Sequence, residues 1–137
     1  MRRSLVLLLL LGAAGCGGST SYAERADSIC SDRVREVAAL PAPRTPDEQA
    51  AVYERTLAAE RRQAERLRSL DPPRGHEREA EALARAVERV ADAAERLRLA
   101  ELSADSESAQ GALFQGRRAA ADVGRYARAL GLKVCGS

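Results

Sequence analysis

Apolar positions along this 137-residue chain recur at helical spacing in four stretches, preceded by one unbroken apolar run. Ala23, Ala26, Cys30, Val34 and Val37 step by three and four and predict a first helix from about Tyr22 to Leu40. Ser21-Tyr22-Ala23-Glu24 has the form of a capping box at its start, and Pro41-Ala42-Pro43 stops it. A second box, Thr45-Pro46-Asp47-Glu48, opens the next helix with proline in the first helical position, where its missing N–H costs nothing. That helix runs to Leu70 with Tyr53, Leu57, Ala64, Leu67 and Leu70 inward, and Asp71-Pro72-Pro73-Arg74-Gly75 breaks it. In the third helix Ala80, Leu83, Val87, Val90, Ala94 and Leu97 form a bundle seam, while Glu81 with Arg85 and Asp92 with Arg96 pair opposite charges four residues apart on outer faces. Ser103 to Ser108, with Asp105 and Ser106 as candidate caps, separates a fourth helix. Its inward positions are Ala109, Leu113, Gly116, Ala120, Val123, Ala127 and Leu130. Gly116 and Gly124 fit a close approach by a neighbouring helix, and Gly131-Leu132 reads as a glycine stop with its hydrophobic contact.

The run Leu5 to Leu11 is too short to span a bilayer, which takes roughly 20 residues. It follows Arg2-Arg3 and leads into Ala13-Ala14-Gly15-Cys16, the order of a charged region, an apolar region and a small-residue cleavage site. The segment resembles the lipobox signal peptide of bacterial lipoproteins, although Ala13 stands where leucine is most usual. The resemblance implies cleavage before Cys16 and a diacylglycerol on its thiol, which would hold the protein on the outer face of the cell membrane. The division expected is then a signal peptide at 1–15, a flexible linker at 16–21 and a helical domain at 22–137.

Removing that signal changes the charge. Two of the 22 basic residues, Arg2 and Arg3, leave with it, while all 20 acidic residues stay, so the remainder is neutral. The apparent basicity belongs to the signal, and no nucleic-acid partner is expected. With Cys16 lipidated, Cys30 and Cys135 remain, in a compartment that permits a disulfide. Two separate buried thiols are the alternative; a metal pair lacks further thiols and has one histidine to draw on. A bridge near both ends of the domain requires an even number of helices in an up-and-down bundle, hence four rather than three. That inference depends on a true break at Ser103 to Ser108.

The chain offers little for catalysis. His76-Glu77 begins like the zinc-protease pattern, but Ala80 occupies the second ligand position. No di-iron pair, haem-attachment motif or phosphate loop occurs, and a serine nucleophile would have to share His76. Glu77, Glu79 and Glu81 suit the start of a helix through its dipole rather than a metal site. Arg74 and His76 read as solvated loop residues, and Phe114 and Tyr126 as core or core-edge residues.

The stretches Tyr22 to Cys30, Leu70-Asp71-Pro72-Pro73 and Leu130 to Gly136 also resemble those of small actinobacterial helical lipoproteins of unknown function, a likeness that implies one domain with a terminal disulfide. The expectation is therefore an all-α, up-and-down four-helix bundle closed by Cys30–Cys135 and anchored at Cys16. It carries no catalytic residue, metal or cofactor. Its expected role is a structural or interaction module of the cell envelope with an envelope protein as partner; the alternative is a small-molecule or metal-binding accessory lipoprotein. An interaction module predicts an exposed apolar patch or groove near the distal loops, and a ligand binder predicts an internal cavity with convergent polar groups.

Overall fold

Ser21 starts the first helix by satisfying the free backbone donors of its opening turn. Its Oγ accepts from Glu24 N at 3.2 Å, and the Glu24 carboxylate accepts from Ser21 N at 2.7 Å, so the full capping box forms. The computed structural model describes residues 20–136 and holds four helices: α1 Tyr22–Ala38, α2 Pro46–Arg68, α3 Glu77–Leu102 and α4 Ser106–Ala129. The expected signal peptide and Cys16 lie outside the described residues. Thr45 Oγ1 caps α2 by accepting from Glu48 N at 3.2 Å, but Glu48 turns its carboxylate to Arg44 N at 2.7 Å, so the second box forms only in half. Both α1 and α2 end two residues before the expected Leu40 and Leu70.

The break between α3 and α4 is real and short. Ala104 N donates to Glu101 O at 3.1 Å and Asp105 N to Ala100 O at 2.9 Å, a Schellman ending. Asp105 then caps α4 by accepting from Ser108 N at 3.0 Å. The turn demands a left-handed residue, and Ala104 supplies it at φ 54°. At the end of α4 the same hydrogen-bond pattern falls on Gly131 at φ 71°, with Leu132 buried beneath it. Alanine meets steric cost where glycine meets none. Ala104→Gly is therefore expected to raise stability by about 1 kcal/mol, seen as a higher urea midpoint at unchanged slope. A lowered midpoint would count against this account of the turn.

Packing follows chain order: α1 lies on α2, α2 on α3, and α3 on α4, while no Cα of α1 comes within 8 Å of one in α4. The fold is the expected four-helix bundle, but its fourth side is closed by the C-terminal tail instead of a helix–helix seam. Cys30 and Cys135 are bonded, with their Cα atoms 5.2 Å apart, as an even helix count requires. Asp27 clamps the same tail, its carboxylate accepting from Lys133 N at 2.9 Å and Val134 N at 2.8 Å, with Cys135 N further off at 3.4 Å.

The main core sits at the tail end, where Tyr22, Ile29, Leu67, Leu83, Val87 and Leu130 pack together around Cys30. Towards the other end the α3–α4 seam narrows to alanine and glycine. A Cβ on Gly116 would lie 3.5 Å from that of Ala93, the expected close approach of helices. Gly124 differs from expectation, since the backbone beside it belongs to the tail at Gly136 rather than to a neighbouring helix.

Several expected inward positions face outward. Val34, Leu113 and Ala120 are exposed, and Phe114, expected in the core or at its edge, is 62% exposed. In α4 the buried stripe is Ala112, Ala119, Gly124 and Ala127, because only small side chains let that helix approach α3 so closely. In α3, Ala94 and Leu97 are half-buried while Ala84, Ala86, Ala91 and Ala93 are fully buried. This helix is central, packed against both α2 and α4, so its buried face is wider than one stripe. In α1, beyond Cys30, only α2 lies alongside, and ion pairs at the helix surfaces such as Arg66–Asp32 at 2.9 Å accompany that contact.

Candidate interaction surface and interhelical cleft

Helix lengths determine where the bundle is covered. The 17 residues of α1 rise about 26 Å and the 26 of α3 about 39 Å, so α1 is shorter than α3 by about 13 Å, and shorter than the 23-residue α2 and 24-residue α4 by about 10 Å. Among the described residues, the large hydrophobic side chains left exposed are Val34, Leu99, Leu102, Leu113 and Phe114. All lie towards the end that carries the Ser103–Asp105 turn, away from residues 20–21 where the described chain begins. Leu102 is 73% exposed at the last position of α3. Phe114 stands beside the α3–α4 groove with the Arg118 guanidinium 5.7 Å from its ring centre. That groove holds about 510 Å³ near Phe114, and about 430 Å³ more towards Leu99 and the turn, with Arg96 and Gln115 shared between the two parts. The expected Asp92–Arg96 pair does not form: Arg96 instead donates to Gln115 Oε1 at 2.7 Å across the groove. Glu81–Arg85 forms as expected, at 3.4 Å.

A second concavity of about 350 Å³ opens where α1 and α4 fail to meet. Val87 and Val90 of α3 line it together with Ala120 and Val123 of α4, and Cys135 and Gly136 close one end. Its polar wall comes from Arg33 of α1 and from Glu60 and Gln63 of α2, the latter two each only 7% exposed. Arg33 Nη2 donates to Glu60 Oε1, and Gln63 Nε2 donates to Cys30 Sγ at 3.0 Å. Arg33 Nε is buried without a hydrogen-bond partner. Burial lowers the Arg33 pKa, as desolvation penalises its charge. Outside the cleft, Asp32 is held below the ordinary carboxylate range, chiefly by its hydrogen bond from Arg66, and Glu88 likewise by Arg68. Both carboxylates are favoured in the folded state when ionised. Their contribution is complete above the ordinary carboxylate range and is lost as pH falls through their lowered values.

Comparison with protein-family models, curated proteins and solved structures finds no match to this chain.

The remaining residues singled out in the sequence do not converge. His76 is exposed in the turn before α3, 4.0 Å from Glu79, and Arg74 is exposed beside it. Glu77 accepts from Gly75 N at 3.0 Å, and Glu81 faces Arg68 and Arg85. Among the described residues no three His, Cys, Asp or Glu side chains gather to hold a metal ion, and no helix is long and apolar enough to cross a membrane.

The polar residues of the cleft, Arg33, Glu60 and Gln63, were not among the positions singled out in the sequence, yet a signal for two of them exists. Leu57, Glu60, Ala64 and Leu67 step by three and four, so Glu60 occupies the turn left vacant in an otherwise apolar stripe. Arg33 likewise takes the inward place after Cys30 that Val34 was expected to take.

Proposed function

We propose that this protein is a lipid-anchored component of the cell envelope whose helical domain acts as a non-enzymatic interaction module. The observation that carries this reading is the gathering of exposed Leu99, Leu102, Leu113 and Phe114 around the α3–α4 end. A monomeric surface rarely keeps so many large apolar side chains together without a use. The lipobox-like segment supplies the other half. A lipid on Cys16 would be joined to α1 by Gly17 to Ser21, five residues that reach about 17 Å at most. The domain would then stand with its α1 start, the disulfide and the Asp71–Gly75 turn towards the membrane, presenting the apolar end outward to a protein partner.

Two measurements test this. Cys16→Ser should move the protein from the membrane fraction to the soluble one, and an unchanged membrane fraction would sink the anchor. Cross-linking in intact envelopes should join the wild-type protein to a discrete partner. The pair Leu102→Glu and Phe114→Glu should lower that yield about tenfold, because buried apolar anchors dominate such contacts. Equal yields from both proteins would dismiss the apolar end as the interface.

The second reading is a small-molecule-binding accessory lipoprotein. The α1–α4 cleft favours it, with buried Glu60 and Gln63 lining it beside Val87, Val90 and Val123.

A further inference from the structure

We infer that the outward face of α4 docks an acidic segment of a partner protein, with its arginines meeting carboxylates and Phe114 covered by an apolar side chain. The inference rests on the interaction-module reading of the apolar end and deepens it by giving the partner its chemistry.

Phe114, Arg117, Arg118, Ala121, Arg125 and Arg128 recur at spacings of three and four along α4, and every one of them is exposed. They form one stripe, opposite buried Ala112, Ala119 and Ala127, that rises about 21 Å from Phe114 to Arg128. Its charge is not balanced from within the fold. Arg61, Arg62, Arg66 and Arg68 of α2 each meet a carboxylate of α1 or α3. Among the described residues of the α4 stripe, Arg125 alone has such a partner, Asp122, which it shares with Arg89. Arg117, Arg118 and Arg128 enter no ion pair among the described residues, and the Arg118 guanidinium lies over the exposed Phe114 ring. Aromatic and arginine side chains are the ones enriched at protein interfaces. A membrane surface fits this face poorly. The stripe holds one large apolar side chain, Phe114, at the end away from residue 20, whereas an interfacial helix buries a whole apolar face. A second copy laid α4 against α4 would set arginine on arginine. A protein segment rich in Asp and Glu supplies paired carboxylate oxygens to the planar guanidiniums and extends the contact that begins at the apolar end.

A photo-cross-linking residue placed at Ala121, in the middle of the stripe, tests this in intact envelopes. The same residue is placed separately at Leu102 on the apolar end and at exposed Glu65 on α2, a helix that does not touch α4. Ala121 and Leu102 should join the same protein and Glu65 should not, and the peptide captured at Ala121 should be rich in Asp and Glu. Arg117→Glu with Arg118→Glu should cut the Ala121 adduct about tenfold, while Arg117→Lys with Arg118→Lys keeps the charge and should retain most of it. Both replacements are good helix formers on an exposed face, so the fold is kept. An Ala121 adduct with lipid alone would assign the face to the membrane, and one with a second copy would assign it to self-association. Either result overturns the inference, as does a captured peptide without acidic residues or an unchanged yield from the glutamate pair. If Leu102 captures a partner and Ala121 captures nothing, the inference falls and the interaction module stands. If neither position captures a protein, both fall.

Discussion

Replacing both Cys30 and Cys135 by alanine is expected to lower stability by about 4–5 kcal/mol, the largest effect of any change considered for this fold. The bridge spans a sequence separation of 105 residues, and the chain-entropy model gives about 4.7 kcal/mol for closing a loop of that size in the unfolded chain. A domain of this length has on the order of 5–15 kcal/mol in total, so the variant should be marginal at 37 °C. The native tail would not be free even then. Asp27 still accepts from Lys133 N and Val134 N, and Leu132 remains buried under the Schellman turn. Urea unfolding of the two proteins measures the difference. Amide exchange should place the extra opening at residues 132–136, and adding Asp27→Ala to the bridge-free variant should remove protection there. A loss below about 1 kcal/mol would show that the entropy of the open chain is not what the bridge restrains.

Leu83→Ala should cost about 3–5 kcal/mol. Leu83 is fully buried on α3, the helix packed on both sides, so neither neighbour can collapse into the space without giving up contacts with the other. Leu113→Ala is the matched control. It deletes the same atoms from a side chain 43% exposed on α4, and its effect should stay near 0.5 kcal/mol or less. Both positions carry leucine on an apolar helical stripe, so their contrast measures how far helix rotation departs from periodicity. Comparable losses at the two sites would contradict the observed orientation of α4.

The apolar end, the groove beside it and the cleft were legible in the sequence to different degrees. Cys30 and Cys135 could be paired by counting thiols and checking helix parity. The arrangement of Asp27 with the tail amides could not, because a carboxylate in the first turns of α1 carries no mark of a partner more than 100 residues away. Phe114 looked like a core residue because aromatics usually are. It is exposed because the α3–α4 seam runs through alanine and glycine and leaves no space for a ring. Arg33 and Glu60 lie on turns that continue apolar stripes, and only the failure of α1 and α4 to meet turns that pairing into a cleft wall.

Four helices, the caps at Ser21, Thr45 and Asp105, the breaks between helices, and the even count that lets Cys30 reach Cys135 were determined by sequence alone. Each is a local matter: a Ser21 or Thr45 hydroxyl reaches a donor three residues away, proline removes a donor, and periodicity is a property of one segment. The tertiary structure decided which helices touch, how α4 is turned about its axis, and that Leu102 and Phe114 stay uncovered while Glu60 is buried. Those outcomes depend on relative helix lengths and on how closely small side chains let two backbones approach, quantities that exist only between segments.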